Sequence, residues 1–227
     1  MHVCVDMQGL FGPGSPWAVP WMQRVLPAIA NVCERFGPSN LFTRFIPADQ
    51  PGAGTGAWAR YYTRWAGMTL SEINPDLCNL IPALRRYVPP GRTLDKRVYS
   101  PWTEGHLDAL LRPSGIDTLV ITGGETDVCV LATALGAIDR GYRLILVEDA
   151  LCSSADDAHD TMMTFYHRRF TEQVELLKPE SYKFAESDIE FSAVRREHHE
   201  ESNVRTDDPL LFPHYPRPSN IPRYGWH

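Results

Sequence analysis

The sequence predicts an α/β fold built on a six-stranded, mostly parallel sheet that is covered by helices on both faces. Short apolar segments alternate with amphipathic segments along the first 177 residues, and this alternation is typical of parallel sheets. Hydrophobic residues make up 43% of the 227-residue chain, which is enough for one sizeable core. Because no internal repeat is visible, a single α/β domain is the simplest interpretation.

Three strands are predicted in the first hundred residues, each with polar, Gly or Pro residues around it: HVCVD at 2–6, NLFTRF at 40–45 and RTLDKRVYS at 92–100, the last of which runs out into a loop. The helix between the first two has one apolar face, formed by Val25, Ile29, Val32, Cys33 and Phe36. Gly37 and Pro38 end it. Two more helices are predicted before the third strand, an aromatic one at 58–65 and one at 76–87 that ends before Pro89 and Pro90.

The second half of the domain alternates more regularly. Strands are predicted at 117–122, 143–149 and 172–177, and helices at 103–115, 129–140 and 156–169. In the first of these helices Leu107, Leu110 and Leu111 are expected to face inward. A helix between successive strands is the connection that parallel pairing requires.

Composition and charge exclude several classes of function. The net charge is -6 without a basic tract, which argues against a nucleic-acid surface. The five cysteines contain no CxxC pair and do not resemble a disulfide framework, so neither structural zinc nor disulfide bonding is expected. No apolar run reaches membrane length and no signal peptide is recognisable. These features predict a reduced, cytoplasmic protein without a membrane partner.

The pattern changes near residue 178. We expect a domain at 1–178 and an extension at 179–227 that is polar, mixed in charge and then Pro-rich. Its composition is compatible with a disordered tail. Its Leu210, Phe212 and Trp226 carry more apolar surface than a solvating tail needs. An arm that lies on this subunit or on a neighbouring one is the alternative.

Three predicted strands lead into residues that carry chemistry. Asp6 ends the first strand, Lys96 lies in the third, and Cys129 follows the fourth and opens a helix. Sites in open parallel sheets form at these strand ends. A helix start and a nearby ammonium would favour the thiolate, and a carboxylate could take the thiol proton and return it to a leaving amine. Together the three residues suggest acyl transfer by a cysteine.

Each residue alone also has an ordinary structural explanation. A cysteine at a helix start is more often a small buried residue, a terminal Asp is often a cap, and a Lys after a strand usually lies on the surface. A nonenzymatic or redox-sensing protein with Cys129 as its reactive thiol is therefore the alternative function. A cysteine phosphatase is set aside, because no arginine follows Cys129 closely enough to hold a phosphate.

Three sequence blocks resemble the isochorismatase-like cysteine hydrolases over roughly residues 2–177. The blocks are D-x-Q-x-x-F, K-x-x-x-S with an aromatic residue two positions on, and G-x-x-T-x-x-C-V-x-x-T-A-x-x-A. The matching residues are Asp6, Gln8, Phe11, Lys96, Ser100, Trp102, Gly123, Thr126, Cys129, Val130, Thr133, Ala134 and Ala137. Asp149 and Ala150 also match the end of the family's next strand.

The resemblance implies a three-layer α/β/α fold and a catalytic triad of Asp6, Lys96 and Cys129. It also implies a cis peptide bond between Gly124 and Glu125, and an oxyanion hole formed by the amides of Glu125 and Cys129. Family members are commonly dimers or tetramers, so a homo-oligomer is expected.

Departures from the family pattern narrow the expected chemistry. Where nicotinamidases of the family carry a D-x-H metal motif, this chain has Arg44 and Phe45, and no histidine occurs between His2 and His106. We therefore predict no metal and no cofactor, and disfavour nicotinamide as substrate. Isochorismatase proper lacks the cysteine nucleophile, so Cys129 indicates hydrolysis of a C–N bond in a small amide, carbamoyl compound or nitrile.

Substrate selection is expected to depend on residues around the triad. The candidates are Phe11, Arg44, Trp58, Tyr62, Trp65 and Trp102. Arg44 could pair with a substrate carboxylate. The aromatic helix at 58–65 could instead only pack against the sheet or a neighbouring subunit. Glu125 could face the pocket, and His159 is expected on the surface or as a helix cap.

Overall fold

The structure is a computed structural model that describes residues 1–177. The predicted boundary near 178 and the predicted extension at 179–227 lie outside the described residues. Six strands form one sheet: β1 (His2–Val5), β2 (Asn40–Phe45), β3 (Arg92–Lys96), β4 (Thr118–Gly124), β5 (Arg143–Cys152) and β6 (Val174–Leu177). The strand order is β3-β2-β1-β4-β5-β6, and all five pairings are parallel. The order reverses between β1 and β4, which is where doubly wound sheets form their sites.

Within residues 1–177 six α-helices accompany the sheet: α1 (Met22–Phe36), α2 (Ala57–Arg64), α3 (Pro82–Arg85), α4 (His106–Leu111), α5 (Cys129–Ile138) and α6 (Asp156–Arg169). They form a layer on each face of the sheet, so the predicted three-layer α/β/α fold is confirmed. Within the described residues no helix is long and apolar enough to cross a membrane.

Alternating residues of the strands pack into two separate hydrophobic cores, one on each face of the sheet. Val3 and Val5 of β1 face one layer, where they pack with buried residues of α4, α5 and α6. Cys4, between them, faces the other layer and packs with the apolar stripe of α1 that includes Val25 and Ile29. This is the two-residue period of a strand buried on both faces.

The predicted helix at 76–87 is wrong as a single element. A 3-10 turn covers Pro75–Cys78, and α3 begins only at Pro82. Between them the backbone pairs with the segment after β1: Leu80 bridges Gln8, and the Ile81 amide donates to the Met7 carbonyl at 3.0 Å. This long-range pairing overrides the local helical pattern. The third strand ends at Lys96 and the chain then continues as a loop, in agreement with the prediction for 92–100.

His2 is a buried polar residue at the start of β1. Its Nδ1 lies 2.6 Å from Asn40 Oδ1, and its Nε2 lies 2.8 Å from Thr122 Oγ1. The Asn40 amide nitrogen already donates to Cys33 and Gly37 carbonyls, so its oxygen is the acceptor and His2 Nδ1 carries the proton. Burial lowers the pKa of His2 to about 4, which keeps the ring neutral.

Candidate active site

The ends of β1 and β3 and the start of α5 bring Asp6, Lys96 and Cys129 together. Lys96 Nζ donates to Asp6 Oδ2 at 2.6 Å and lies 3.4 Å from Cys129 Sγ. It also donates to the Val98 carbonyl at 3.2 Å. Asp6 and Lys96 are each only 2% exposed and Cys129 is 7% exposed. The ammonium therefore lies between a carboxylate and a thiol in a site that is almost closed to water.

Thr43 holds the Asp6 carboxylate, and Gln8 holds the turn that follows it. Asp6 has a left-handed backbone with φ of 51°, which turns the chain away from β1. The Thr43 hydroxyl on β2 donates to Asp6 Oδ1 at 2.6 Å and accepts the Asp6 amide at 3.2 Å. Gln8 then ties this turn to β2, because its amide exchanges hydrogen bonds with both backbone groups of Phe45. Thr43 is a positioning residue that the sequence motifs did not reveal.

The charges in the free site favour a neutral thiol. Burial raises the pKa of Cys129 well above its ordinary value, and the Asp6 carboxylate adds to this, while Lys96 opposes it. Burial lowers the pKa of Lys96, but Asp6 and Cys129 outweigh that effect and the net pKa is raised. The resting site is therefore an Asp6–Lys96 ion pair beside a protonated thiol. Lys96 lowers the pKa of this thiol as expected, but burial and Asp6 outweigh that effect.

The turn before Cys129 is held by the loop after β5. The Gly124–Glu125 peptide bond is cis. The Thr126 amide and hydroxyl both donate to the Cys152 carbonyl, at 2.9 and 3.1 Å. Glu125 Oε1 accepts the Ser154 amide at 3.1 Å. Within residues 1–177 the backbone amides of Glu125 and Cys129 donate to no other protein atom, so both remain available to a bound group.

Two further residues shape this turn. Gly123 has φ of 102°, and a Cβ there would lie 2.2 Å from the Val5 carbonyl oxygen, so only glycine fits between β1 and β4. His159 Nδ1 lies 2.9 Å from the Thr126 hydroxyl, which already donates to Cys152, so the ring donates. His159 is 8% exposed, and its predicted surface position is wrong.

A cavity of about 250 Å³ opens onto Cys129. Its lining residues are Phe11, Pro16, Trp17, Ala18, Phe45, Tyr61, Trp65, Tyr99, Glu125, Val128, Cys129 and Ser154. Of the six substrate-binding candidates, only Phe11 and Trp65 line it. Glu125 also faces it.

The other four candidates lie elsewhere. Thr43 and Phe45 face the site, so Arg44 between them points away and pairs with both Asp95 carboxylate oxygens at 2.7 and 2.8 Å. Trp102 is buried against α5, where its Nε1 donates to the Thr133 carbonyl at 2.9 Å.

Trp58 and Tyr62 lie behind the cavity wall. Trp58 packs on Tyr61 and Tyr99, with ring centroids 5.4 and 4.9 Å away. Tyr62 is 3% exposed and packs on both Trp58 and Tyr61, with ring centroids 6.0 and 5.2 Å away. The segment at 58–65 therefore has a part in the cavity wall through Tyr61 and Trp65, although α2 itself ends at Arg64.

The candidates omitted Trp17, Phe45, Tyr61 and Tyr99. Helical spacing relates Tyr61 to Trp65 one turn on, and strand alternation relates Phe45 to Thr43, so both signals were present in the sequence. Trp17 lies in a Gly- and Pro-rich segment without periodicity. Its ring nevertheless lies about 6 Å from those of Phe45, Tyr61 and Trp65, so it is central to the wall.

Among residues 1–177 no group of three or more His, Cys, Asp or Glu side chains could hold a metal ion. The five cysteines are free and buried.

Comparisons with known proteins agree on one family. The family model described as Isochorismatase domain matches residues 1–176. Nicotinamidase 3 of Arabidopsis thaliana is 26% identical over 160 residues, which are 70% of this chain and 76% of that protein. Maleamate amidohydrolase of Pseudomonas putida is 26% identical over 160 residues, 68% of this chain and 72% of that protein. The structure of N-carbamoylsarcosine amidase from Thermoplasma acidophilum superposes with a TM-score of 0.64 at 25% identity and covers 81% of this chain and 96% of its own.

Proposed function

The chain belongs to the isochorismatase family, and we propose that it is a cysteine hydrolase that cleaves the C–N bond of a small amide or carbamoyl compound through a thioester-type intermediate. The observation that carries the proposal is the position of Lys96 Nζ, 2.6 Å from the Asp6 carboxylate and 3.4 Å from the Cys129 sulfur at the base of a cavity. Relatives named as an amidohydrolase, a nicotinamidase and an amidase support the class of reaction.

The first step forms the covalent bond. Asp6 accepts the thiol proton as Cys129 Sγ attacks the substrate carbonyl carbon. Negative charge then leaves Asp6, and Lys96 remains within reach of both the carboxyl group and the sulfur. The ammonium therefore stabilises the charge wherever it lies during proton transfer. The amides of Glu125 and Cys129 receive the oxyanion.

The second and third steps release the products. Asp6 returns the proton to the nitrogen, the C–N bond breaks, and ammonia or an amine leaves while the acyl group stays on sulfur. Water then attacks this thioester with Asp6 as the base, and the thiol leaves with its proton restored. The overall reaction consumes one water and needs no redox partner.

The placement of both Asp6 and Lys96 beside Cys129 argues against the alternative of a redox sensor. A sensor thiol must be a thiolate at neutral pH to react with oxidants. Here burial and Asp6 raise the pKa of the thiol, and the site supplies a carboxylate and an ammonium that a sensor thiol would not need together. A hydrolase with a built-in base fits this arrangement better than a protein that must react without one.

The test is ammonia release from a panel of small amides, ureido acids and nitriles. Wild type should release ammonia from at least one of them, and Cys129→Ala should release none. Cys78→Ala is the matched control, because Cys78 is also a buried free cysteine but does not line the cavity. Intact mass spectrometry should detect the acyl adduct on wild type. Equal turnover by Cys129→Ala would contradict the proposed mechanism.

Nicotinamide is disfavoured as substrate because Arg44 and Phe45 replace the expected metal-binding residues. The predicted homo-oligomer, cytoplasmic location and independence from cofactors remain predictions.

A further inference from the structure

The cavity beside Cys129 carries one formal charge, and it is negative. Glu125 is the single ionic side chain among the twelve lining residues, all of which lie in the described part of the chain. One of its carboxylate oxygens accepts the Ser154 amide at 3.1 Å. The other accepts no hydrogen bond and no ion pair from residues 1–177. This oxygen is available to a ligand.

Aromatic rings form most of the remaining wall: Phe11, Trp17, Phe45, Tyr61, Trp65 and Tyr99. Trp17 stands at their centre, with four of these rings between 6.0 and 6.3 Å from its own. Several aromatic rings around one small space form the kind of aromatic cage that binds a quaternary ammonium or protonated amine in other proteins.

The two tyrosines do not change this charge balance. Burial raises the pKa of Tyr61, with Tyr99, Tyr62, Cys129 and Glu125 adding to it. Burial likewise raises the pKa of Tyr99, with Cys129 and Glu125 adding to it and Lys96 opposing it. Both phenols are therefore neutral near pH 7.

The cations near the cavity are already engaged. Lys96 is buried between Asp6 and Cys129 and also lies over the Phe45 ring at 5.3 Å. Arg44 is paired with Asp95. Arg64 lies 5.5 Å from the Trp65 ring centre without lining the cavity. A substrate carboxylate would lose its hydration here without gaining a cation, and it would face Glu125.

We propose that this cavity is an organic-cation subsite, which selects small amides whose acyl part carries a quaternary ammonium or protonated amine. The aromatic rings surround the cationic group, Glu125 neutralises it, and the carbonyl of the same molecule reaches Cys129. The contact between the carbonyl and Cys129 rests on the proposed function. The preference for a cation concerns binding alone and can be measured without turnover.

Two isosteric probes isolate the charge. Betaine amide carries a trimethylammonium group where 3,3-dimethylbutanamide carries a tert-butyl group, and succinamate supplies an anion of similar size. Calorimetry on the Cys129→Ser protein measures binding without turnover. We expect the cation to bind at least ten-fold more tightly than its neutral isostere, and the anion to bind most weakly. Equal affinity for the two isosteres, tighter binding of succinamate, or no binding of betaine amide at millimolar concentration would overturn the inference.

Glu125→Gln in the same background should reduce the ratio between cation and neutral isostere several-fold. Glu104→Gln is the matched control: it removes the same charge from a residue outside the cavity lining and should leave the ratio unchanged. If Glu125→Gln leaves the ratio of the two affinities unchanged, the Glu125 carboxylate does not contribute to cation binding.

Ammonia release by wild type from the same three amides separates the two proposals. Preferred binding of the cation without hydrolysis of any probe, under conditions where a broader amide panel is also inert, would refute the hydrolase and leave the subsite standing. Hydrolysis that favours succinamate would support the hydrolase and refute the subsite.

Discussion

Replacing Lys96 by methionine tests how the triad controls the thiol. The substitution keeps most of the buried stem and removes the ammonium 3.4 Å from Cys129 Sγ. Two unit charges at that separation attract by about 5 kcal/mol at an effective dielectric constant of about 20. This attraction stabilises the thiolate, so its loss should raise the pKa of Cys129 further and slow alkylation at neutral pH.

The full attraction is an upper limit. Lys96 also neutralises Asp6 at 2.6 Å, and without the ammonium the buried carboxylate will tend to take up a proton. A neutral Asp6 no longer repels the Cys129 thiolate, and this partly offsets the stabilisation of the thiolate that is lost with the ammonium. We therefore expect the alkylation rate near pH 7 to fall at least about ten-fold, a change that corresponds to about 1.4 kcal/mol.

The assay is the rate of iodoacetamide labelling at Cys129 across pH, followed by peptide mass spectrometry because the chain has four other cysteines. Arg44→Met is the matched control, since it removes a cation from the neighbouring strand that is paired with Asp95 outside the cavity. It should leave the rate profile unchanged. A Lys96→Met profile that overlays that of wild type would refute the electrostatic role of Lys96.

Three further outcomes are expected. The pKa of His2 is lowered to about 4, so the unfolded state binds an extra proton between about pH 6.5 and pH 4. Acidification across this window should lower the free energy of unfolding of wild type, measured in urea, by about 3 kcal/mol more than that of His2→Gln. An equal dependence of the free energy of unfolding on pH in the two proteins would contradict this. Gly123→Ala should lower the free energy of unfolding in urea by at least about 2 kcal/mol more than Gly141→Ala does. Both glycines have positive φ, but only Gly123 lacks room for a Cβ. Similar losses in the two variants would show that crowding at Gly123 is unimportant. Exhaustive chelation should leave ammonia release unchanged, whereas a loss that a divalent metal restores would refute metal independence.

The sheet was predictable because each strand is a short apolar run between chain breakers. NLFTRF matches β2 residue for residue, and Cys129 opens α5 as predicted. The segment at 76–87 was not predictable, because its backbone pairs with residues near Gln8 that are distant in sequence. Local periodicity carries no information about such pairing.

The three proposed catalytic residues were predicted to lie close together because each is at or shortly after the end of a strand, and the resemblance to the family grouped them as a triad. The cavity wall was harder to predict. Arg44 was a candidate, but it lies on the face of β2 opposite to Thr43 and Phe45, and the sequence alone did not show which of these faces the site. Trp17 had no periodic context, and the resting protonation of Cys129 depends on burial, which only the folded arrangement determines.

Lys96 has a further consequence through its place in the sheet. Its strand β3 is at the edge, two strands away from β1, and Lys96 lies 90 residues from Asp6 and 33 from Cys129 in sequence. Contacts between such distant residues form only after long loops close, so the triad is assembled from segments that meet late. During synthesis, Asp6 and Lys96 emerge well before Cys129. On the proposed mechanism, reactivity of Cys129 therefore requires that both halves of the sheet have joined.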